Sequence, residues 1–361
     1  MHPTAAGDRA AHPKEPAEAI YRQARWVRSR LVKAPQKDRL LLLGVLALAG
    51  CGGKQDTLHP ASKQEHAISE LWWVMLTGAA IGFGVVVFLL LLGWLRRNRP
   101  DLPFGLGERA GAAIVVGMGV AVPIVVLSLL FVWSDVYVIK TTEPPRASST
   151  SLTVEVVGHQ WFWEIRYPDT GAVTANELHI PVRTRVNVVG TTADVIHSFW
   201  VPELNRKIDL IPGRKNRVLL DADRTGTFLG RCAEFCGLQH AHMAVLVFVQ
   251  TRRAFRAWLA NMARPARPPT TPEERQGQQV FLDAACSGCH QIRGTDAHGQ
   301  VGPDLTHLAT RTSLAAGAIP EEDLGRWIRD PQHFKPGNKM PSLPLPESDY
   351  RALDAYLESL K

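Results

Sequence analysis

Two long apolar runs dominate the first part of the chain. Residues 71–95 and residues 110–134 contain no charged side chain. Each run is longer than the roughly 20 residues that a helix needs to cross the apolar core of a bilayer. The pattern therefore predicts a two-helix transmembrane hairpin over residues 71–134. A pair of buried core helices is the alternative, which this length and lack of charge disfavour.

Basic side chains between the two runs predict their orientation. Arg96, Arg97 and Arg99 directly follow the first run. Because short loops rich in Arg and Lys stay in the cytoplasm, the second run should return the chain outward. The interfacial aromatics Trp133 and Tyr137 fit that return. We therefore expect everything after the hairpin to lie on the periplasmic face of a bacterial cytoplasmic membrane.

A shorter apolar run, Leu40–Gly50, has the length of a signal-peptide core and follows basic residues. It ends in L-A-G-C, which resembles the lipobox of bacterial lipoproteins. The pattern predicts a lipoprotein-type signal peptide over residues 1–50, lipidation at Cys51 and a polar tether over residues 51–70. An uncleaved anchor helix with an incidental cysteine is the alternative.

After residue 150 the pattern changes to short β-rich runs separated by Gly, Pro, Asn and Asp. Several of these runs alternate polar and apolar positions, which predicts an all-β sandwich or barrel. A short helix over 252–263 should close it. The predicted strands are Leu152–Gly158, Glu177–Pro181, Arg185–Val189, Arg217–Leu220 and Ala244–Gln250.

The C-terminal part is separated from this region by R-P-A-R-P-P-T-T-P at residues 264–272. A proline-rich segment of this kind predicts a semi-rigid linker. Residues 273–361 have a helical pattern, with one helix over 274–282. A final helix, capped by Ser348, should place Leu353, Tyr356, Leu357 and Leu360 on one face.

The net charge of +7 is concentrated at the N-terminus. Residues 1–50 hold nine Lys and Arg against four Asp and Glu, a surplus of +5 that leaves +2 for the rest. No basic patch with interleaved aromatics follows, so the sequence gives no reason to expect a nucleic-acid partner.

The chain has five cysteines, and two of them belong to a haem motif. Cys286, Cys289 and His290 form C-S-G-C-H, the attachment signature of a covalently bound haem c. Met340 is the only methionine after Cys289, which makes it the candidate second axial ligand. A thioredoxin-like motif would need a βαβ context, and a zinc site would need a second Cys/His pair.

A second run is dense in soft metal ligands. Cys232, Cys236, His240 and Met243 lie within twelve residues, and His197 precedes them in D-V-I-H-S-F-W. Thiolate, thioether and imidazole suit copper. Zinc competes, but structural zinc sites favour shorter cysteine spacing and do not use methionine. A blue-copper site would need only one cysteine, whereas two thiolates four residues apart can bridge two metal ions.

This run, C-A-E-F-C-G-L-Q-H-A-H-M with its upstream D-V-I-H-S, resembles the binuclear copper (CuA) site of cytochrome c oxidase subunit II. G-H-Q-W-F-W at 158–163 and V-P-E-L-N-R-K-I-D-L-I-P-G-R at 201–214 also resemble that family. The resemblance covers residues 65–263. It implies a cupredoxin Greek-key sandwich, here expected over 150–263, behind two transmembrane helices.

The resemblance also implies a ligand set. Cys232 and Cys236 would bridge two coppers. His197 and Met243 would complete one copper, while His240 and the backbone carbonyl of Glu234 would complete the other. The Glu234 side chain would bind a magnesium ion shared with the catalytic subunit, or else it is a solvated loop carboxylate.

For several other positions, the same resemblance leaves two interpretations open. Trp161 corresponds to the tryptophan through which electrons enter the copper site, and it also suits a packed sheet aromatic. His242 is a less favoured alternative to His240. Glu108 lies near a proton-uptake glutamate of the family, but its surroundings match poorly, so an interfacial charge comes first. Docking of a soluble cytochrome would use acidic residues, with candidates Glu155, Glu164 and Asp169.

The C-terminal segment resembles class I cytochrome c in C-S-G-C-H, G-P-D-L at 302–305 and K-P-G-N-K-M-P. That resemblance implies an all-α cytochrome c domain over 273–361, with a proline that orients His290. The whole chain is thus expected to be multidomain.

Together, the motifs and the two resemblances predict an electron-transfer subunit of a terminal cytochrome c oxidase. Electrons would pass from haem c to CuA and on to the catalytic haem–copper subunit I, which reduces oxygen. The expected partners are the membrane, the other oxidase subunits, and reduced cytochrome c or a quinol–cytochrome c reductase as donor. The alternatives are a CuA-containing subunit of a nitrogen-oxide reductase and a free-standing membrane-anchored electron relay.

Overall fold

The computed structural model describes residue 53 and residues 55–98, 107–317, 319 and 323–361. The predicted signal peptide over 1–50 and the lipidation site Cys51 lie outside these residues. The chain divides after Gly53, and the second unit runs from Lys54 to Lys361.

The described helices, in chain order, are α1 (Lys63–Asn98), α2 (Glu108–Thr142), α3 (Arg252–Met262), α4 (Pro272–Asp283), α5 (Cys286–Cys289), α6 (Leu324–Arg329), α7 (Pro331–Phe334) and α8 (Glu347–Glu358). The described strands are β1 (Leu152–His159), β2 (Phe162–Tyr167), β3 (Ala172–Ala175), β4 (Glu177–Pro181), β5 (Val186–Thr192), β6 (His197–Trp200), β7 (Ile208–Leu210), β8 (Asn216–Leu220), β9 (Gly226–Cys232) and β10 (Ala244–Gln250).

Helices α1 and α2 are the two predicted apolar helices, and both are long and apolar enough to cross a membrane. Their large apolar side chains are exposed along most of their length, as expected for helices that face lipid. Helix α2 widens into a π-helical turn at Gly117–Ala121, just before Pro123. Because proline lacks an N–H and crowds the preceding turn, the wider turn accommodates it within a continuous helix.

The outer ends of this hairpin are bonded to the β domain. The Ala61 amide donates to the Glu203 carbonyl at 2.9 Å, and the Asp223 amide donates to the Ala61 carbonyl at 2.9 Å. At the other helix, the Arg206 Nε donates to the Thr142 carbonyl at 3.2 Å. The β domain therefore rests directly on the ends of the two apolar helices.

The β domain is a sandwich of two five-stranded sheets, ordered β3-β2-β1-β5-β8 and β4-β10-β9-β6-β7. Most neighbours are antiparallel, but β1 pairs with β5 and β10 pairs with β4 in parallel. The two inner faces pack through one apolar core whose members include Val154, Val156, Trp163, Ile165, Leu178, Val188, Phe199 and Val247. The predicted sandwich is confirmed.

The strand predictions were incomplete. Two of the five predicted strands have the observed bounds, and Arg185–Val189 is observed as Val186–Thr192. Strands β2, β3, β7 and β9 were not predicted. D-V-I-H-S-F-W was expected to end a strand, and β6 begins within it at His197. Strand β7 has only three residues and β9 contains two glycines, so their patterns are too short or too weak to predict a strand.

The C-terminal domain is helical and is built around the contact between α4 and α8. Thr271 and Glu274 form a capping box that begins α4. The predicted cap at Ser348 is wrong, because α8 begins at Glu347 after Pro346 and has no side-chain cap. The predicted apolar face is confirmed, since Leu353, Tyr356, Leu357 and Leu360 are all buried.

The proline-rich segment 264–272 is bonded to the helical domain. The Ala266 amide donates to the Arg293 carbonyl at 2.8 Å, and the His307 Nε2 lies 3.0 Å from the Arg264 carbonyl. Arg293 also donates from Nη1 to the Ala263 carbonyl at 3.4 Å. The linker therefore lies along the surface of the domain that follows it.

A buried carboxylate joins the sandwich to the helical domain. Glu177 Oε1 accepts from the Thr312 amide at 2.7 Å and from the Ser313 amide at 3.0 Å. The Ala244 amide donates to the Ala316 carbonyl at 3.3 Å. These three amides donate hydrogen bonds across the boundary between the sandwich and the helical domain. Their protection from hydrogen exchange with solvent therefore measures how firmly the two domains are docked.

We expect Gly277→Ala to destabilise the helical domain. A Cβ at this position would lie 1.9 Å from the Ala352 carbonyl oxygen, so α4 and α8 must separate. Overpacking of this kind costs about 1–3 kcal/mol, which thermal unfolding of the full chain would measure as a lower midpoint. Gln279→Ala, on the exposed side of α4, is the control. A Gly277→Ala midpoint that does not fall would contradict the close contact between α4 and α8. Without that contact, the higher helix propensity of alanine would leave the domain equally or more stable.

Candidate metal centres

The soft ligands of the second run converge at one end of the sandwich. Strand β9 ends at Cys232, β10 begins at Ala244, and the segment between them carries Cys236, His240 and Met243. His197 begins β6, which pairs with β9 so that Phe199 lies opposite Cys232. Regular pairing of two strands thus places His197 beside the cysteine segment.

The donor atoms of five predicted ligands lie together. The Cys232 and Cys236 sulfurs are 3.7 Å apart. His197 Nδ1 is 3.8 Å from the Cys232 sulfur, and His240 Nδ1 is 3.6 Å from the Cys236 sulfur. The Met243 sulfur is 3.9 Å from the Cys236 sulfur. The two sulfurs therefore lie between two imidazoles.

A sixth donor is a backbone oxygen. The Glu234 carbonyl lies 3.2 Å from the Cys232 sulfur. The Glu234 carboxylate points elsewhere and is exposed, with its Oε1 3.3 Å from the Phe235 amide. His242 is also exposed, and its Nδ1 is 2.7 Å from Gln239 Oε1. His242 is therefore engaged outside the sulfur cluster, which favours His240.

Asp194 supports His197 from behind. Its Oδ1 is 2.9 Å from His197 Nε2, and its Oδ2 accepts from the Gln160 amide at 2.7 Å. Burial alone would raise the pKa of Asp194, but its hydrogen bonds to His197 and to the Gln160 and Val195 amides outweigh burial and lower it. An ionised Asp194 accepts a hydrogen bond from Nε2 and so fixes the orientation of the ring. Nδ1 is then the ring atom that faces the sulfurs and would bind the metal.

The two thiols ionise unequally. The pKa of Cys232 is lowered because the Cys236 thiol donates to its sulfur, and His197 stabilises the same thiolate. The pKa of Cys236 is raised, since it lies beside that thiolate and is buried. Without metal, the pair therefore shares one proton. Full ionisation of both sulfurs requires a nearby positive charge.

This donor set fits the predicted copper pair. Two thiolates, two imidazoles, a thioether and a carbonyl are ligands that copper accepts, and the thioether and carbonyl suit weak positions. Among the described residues, His197, Cys232 and Cys236 form the group of His, Cys and carboxylate side chains close enough to share one ion. Gly158 leaves room for His197, since a Cβ there would lie 2.8 Å from its ring.

The predicted haem residues line one cavity in the helical domain. Cys286, Cys289, His290 and Met340 all contribute to its wall. His290 Nδ1 lies 2.8 Å from the Pro303 carbonyl, so Nδ1 carries the proton and Nε2 is left as a free lone pair. Burial lowers the pKa of His290, which keeps the ring neutral. A neutral, oriented imidazole is the form that binds iron.

The rest of the cavity wall suits a porphyrin. Leu305, Leu308 and Leu314 supply an apolar surface, and the buried Arg311 also lines the wall. Arg311 donates to the Asp304 carbonyl, but its Nε has no hydrogen-bond partner. A buried cation with a free donor fits a ligand that carries carboxylates. Arg311 was not predicted, because its only signal in the sequence is that it is the sole basic side chain between Leu305 and Leu314 apart from His307.

Trp161 lies between the two candidate centres. It is 8% exposed and lines the same cavity as His290 and Met340. Its indole N–H donates to the Cys236 carbonyl at 2.9 Å, and the Gln160 side chain donates to that carbonyl at 2.8 Å. The residue is therefore both a packed aromatic and a direct link to the sulfur cluster.

These features define a class of protein: a membrane-anchored electron carrier with a copper site in a β-sandwich and a haem site in a helical domain. Residues 172–250 match the family model described as cytochrome c oxidase subunit II, periplasmic domain. Residues 274–361 match the cytochrome c model.

Curated relatives extend the match to most of the chain. Cytochrome c oxidase subunit 2 of Alkalihalophilus pseudofirmus is 35% identical over 326 residues, which cover 88% of this chain and 94% of the relative. The Bacillus subtilis subunit is 29% identical over 344 residues, covering 89% and 96%. The chain belongs to the cytochrome c oxidase subunit II family, and is thus part of a haem–copper oxidase complex.

A solved structure matches about a third of the chain. The crystal structure of the periplasmic domain of subunit II of cytochrome oxidase of Bradyrhizobium japonicum is 34% identical to this chain. The match covers 33% of this chain and 96% of that one, with a TM-score of 0.32.

We expect Asp194→Asn to weaken copper binding about 10–100-fold, as is typical when the partner of a ligating histidine is changed. In the metal-free protein, the pKa of Cys232 should rise, because His197 loses the carboxylate that favours its charged form. Titration with copper and the pH dependence of thiol alkylation measure the two effects. Asp169→Asn, at an exposed carboxylate, is the control. Unchanged values in both measurements would show that Asp194 does not support the site.

Proposed function

We propose that this chain is the electron-transfer subunit of a terminal cytochrome c oxidase, carrying electrons from a covalently bound haem c to CuA and on to subunit I for oxygen reduction. The observation that carries the proposal is the position of Trp161. It lines the haem cavity and donates a hydrogen bond to the carbonyl of Cys236. One side chain thus spans the space between the two candidate centres.

The bound metals would supply reversible one-electron chemistry, with the charge of CuA spread over two coppers by the bridging thiolates. The chain's own residues hold the geometry. Cys232, Cys236 and Met243 are buried, and two strands and the Asp194 hydrogen bond fix His197. Ligands held this rigidly limit the rearrangement that accompanies each electron. No general base or nucleophile is needed.

We assign the ligands as follows. Cys232 and Cys236 would both bind the copper pair, His197 and Met243 would complete one copper, and His240 with the Glu234 carbonyl would complete the other. The exposed Glu234 carboxylate would bind a magnesium ion shared with subunit I. In the haem domain, Cys286 and Cys289 would attach the haem through thioethers, and His290 and Met340 would bind its iron.

The domain assignment follows the same logic. We propose a cleaved lipoprotein-type signal peptide over 1–50, a lipidated Cys51 and a tether over 51–70. The hairpin over 71–134 is followed by the CuA domain over 150–263, the linker over 264–272 and the cytochrome c domain over 273–361.

The orientation of the chain rests on charge. Arg96 and Arg97 lie at the end of α1 opposite to the β domain, which supports a cytoplasmic loop and periplasmic metal domains. The donor on that face would be reduced cytochrome c or a quinol–cytochrome c reductase. As part of an oxidase, the subunit would serve a translocase, and Glu108 would be an interfacial charge.

We expect replacement of both Cys232 and Cys236 by serine to abolish oxygen uptake by the purified native complex while its haem c content stays unchanged. Serine cannot supply the bridging thiolates, so electrons would stop at the haem. Oxygen uptake and haem content are measured on the same preparation, with Cys286 and Cys289 intact as internal controls. Unchanged oxygen uptake would refute the proposal, and turnover of nitrous or nitric oxide instead would favour a nitrogen-oxide reductase.

A second experiment tests Trp161 itself. Trp161→Phe keeps an aromatic ring but leaves the Cys236 carbonyl without its indole donor. Because the indole hydrogen bond is the direct link from the haem cavity wall to the Cys236 carbonyl, we expect haem-to-copper transfer to be slower in this variant than in the native protein. Flash reduction of the haem followed by optical detection at copper measures this rate. Trp327→Phe, in the same cavity wall but away from the copper ligands, is the control. Equal rates in both variants would remove Trp161 from the path.

A further inference from the structure

A buried lysine lies at the boundary between the two metal domains. Lys335 is only 3% exposed, although it belongs to a helical domain with ample surface. Its Nζ donates to the Trp161 carbonyl at 2.9 Å, to the His242 carbonyl at 3.1 Å and to the Ala315 carbonyl at 3.0 Å. Two of these acceptors belong to the CuA domain and one to the cytochrome domain. All three donors of the ammonium group are therefore used.

The position of this lysine is costly. Moving an ammonium group out of water is unfavourable, and neutral carbonyls offset that cost only in part. Burial accordingly lowers the pKa of Lys335 to about 8. An apolar side chain of similar length would fill the space at a lower cost. A contribution to folding stability therefore does not explain why a lysine lies here. Its three directional hydrogen bonds instead fix the positions of the Trp161, His242 and Ala315 carbonyls relative to one another.

The residues that follow Lys335 also contact the CuA domain. Together they form the methionine loop, residues 335–340, which ends at the candidate axial ligand Met340. The Pro336 carbonyl accepts from Gln239 Nε2 at 2.5 Å. A Cβ on Gly337 would lie 2.8 Å from Leu238 Cδ1, so this backbone closely approaches the segment between β9 and β10 that carries Cys236. Lys339 Nζ is 3.5 Å from Asp194 Oδ2.

We propose that Lys335 is a positioning residue that locks the methionine loop onto the CuA domain, so that the haem cavity meets Trp161 in one fixed arrangement. The hydrogen bond to the Trp161 carbonyl acts on the residue that lines the cavity. The bond to the Ala315 carbonyl joins the same amine to the cytochrome domain. The consequence for electron transfer rests on the proposed function, but the docking itself does not.

The test compares Lys335→Met with the native chain as the purified full-length protein. The methyl thioether fills the space but cannot donate, so the domains should stay folded and lose their fixed arrangement. We expect amide exchange at Thr312 and Ser313, which bond to Glu177 across the boundary, to speed up about tenfold or more as local opening becomes easier. Lys215→Met is the matched control, because Lys215 is an exposed lysine paired with Glu155.

A second readout follows electron transfer. Haem-to-copper transfer should be slower in Lys335→Met than in the native protein, because the haem cavity no longer keeps one fixed position against Trp161. The optical spectra of haem and copper should match those of the native protein, which shows that both sites are intact. Lys335→Gln, which keeps one donor group on a shorter chain, should give intermediate values.

The outcomes are separable. Exchange and transfer rates equal to those of Lys215→Met would overturn the role of Lys335. If Lys335→Met fails to bind its cofactors, the Lys335→Gln exchange rates decide, and native values there would also overturn it. If the native protein itself shows no haem-to-copper transfer, the proposed function fails, while the exchange rates still test whether Lys335 locks the domains.

Discussion

The hydrogen bond from the Trp161 indole to the Cys236 carbonyl is the contact on which the rest of the arrangement depends. The carbonyl belongs to a residue whose sulfur lies in the copper cluster, and the indole ring forms part of the haem cavity wall. Gln160 donates to the same oxygen, so two successive residues hold one peptide group. Any shift of this segment moves the cluster and the cavity wall together.

Each domain orients its key histidine through a different acceptor. A carboxylate, Asp194, lies behind His197, and a neutral carbonyl, that of Pro303, lies behind His290. The carboxylate favours the charged imidazole, and the pKa of His197 is raised despite its burial because Cys232 and Asp194 stabilise the cation. The carbonyl carries no such charge, so burial prevails at His290. The charged groups beside each ring therefore decide whether burial lowers the pKa of that histidine.

Features that are encoded by residues close together in the chain could be predicted from the sequence. Uncharged runs predicted the two apolar helices, and the soft ligands within residues 232–243 predicted a metal site, because each signal lies in one short segment. The full ligand set, which includes the distant His197, came only with the resemblance to the subunit II family. Contacts between distant segments left no such pattern. Asp194 was quoted only as part of the D-V-I-H-S motif, and nothing in K-P-G-N-K-M-P marks Lys335 as buried. The predicted cap at Ser348 is wrong because the helix begins two residues earlier, with Pro346 at the capping position.

The bonds along residues 264–272 have a consequence for how the domains are supplied with electrons. The linker is held by His307 and Arg293 rather than hanging as a loose tether. A carrier that arrives by diffusion must first find its acceptor, and that encounter depends on ionic strength. The cytochrome domain is already docked on the CuA domain, so transfer between them requires no diffusional encounter. Added salt should therefore slow the arrival of electrons from an outside protein and leave the internal step unaffected.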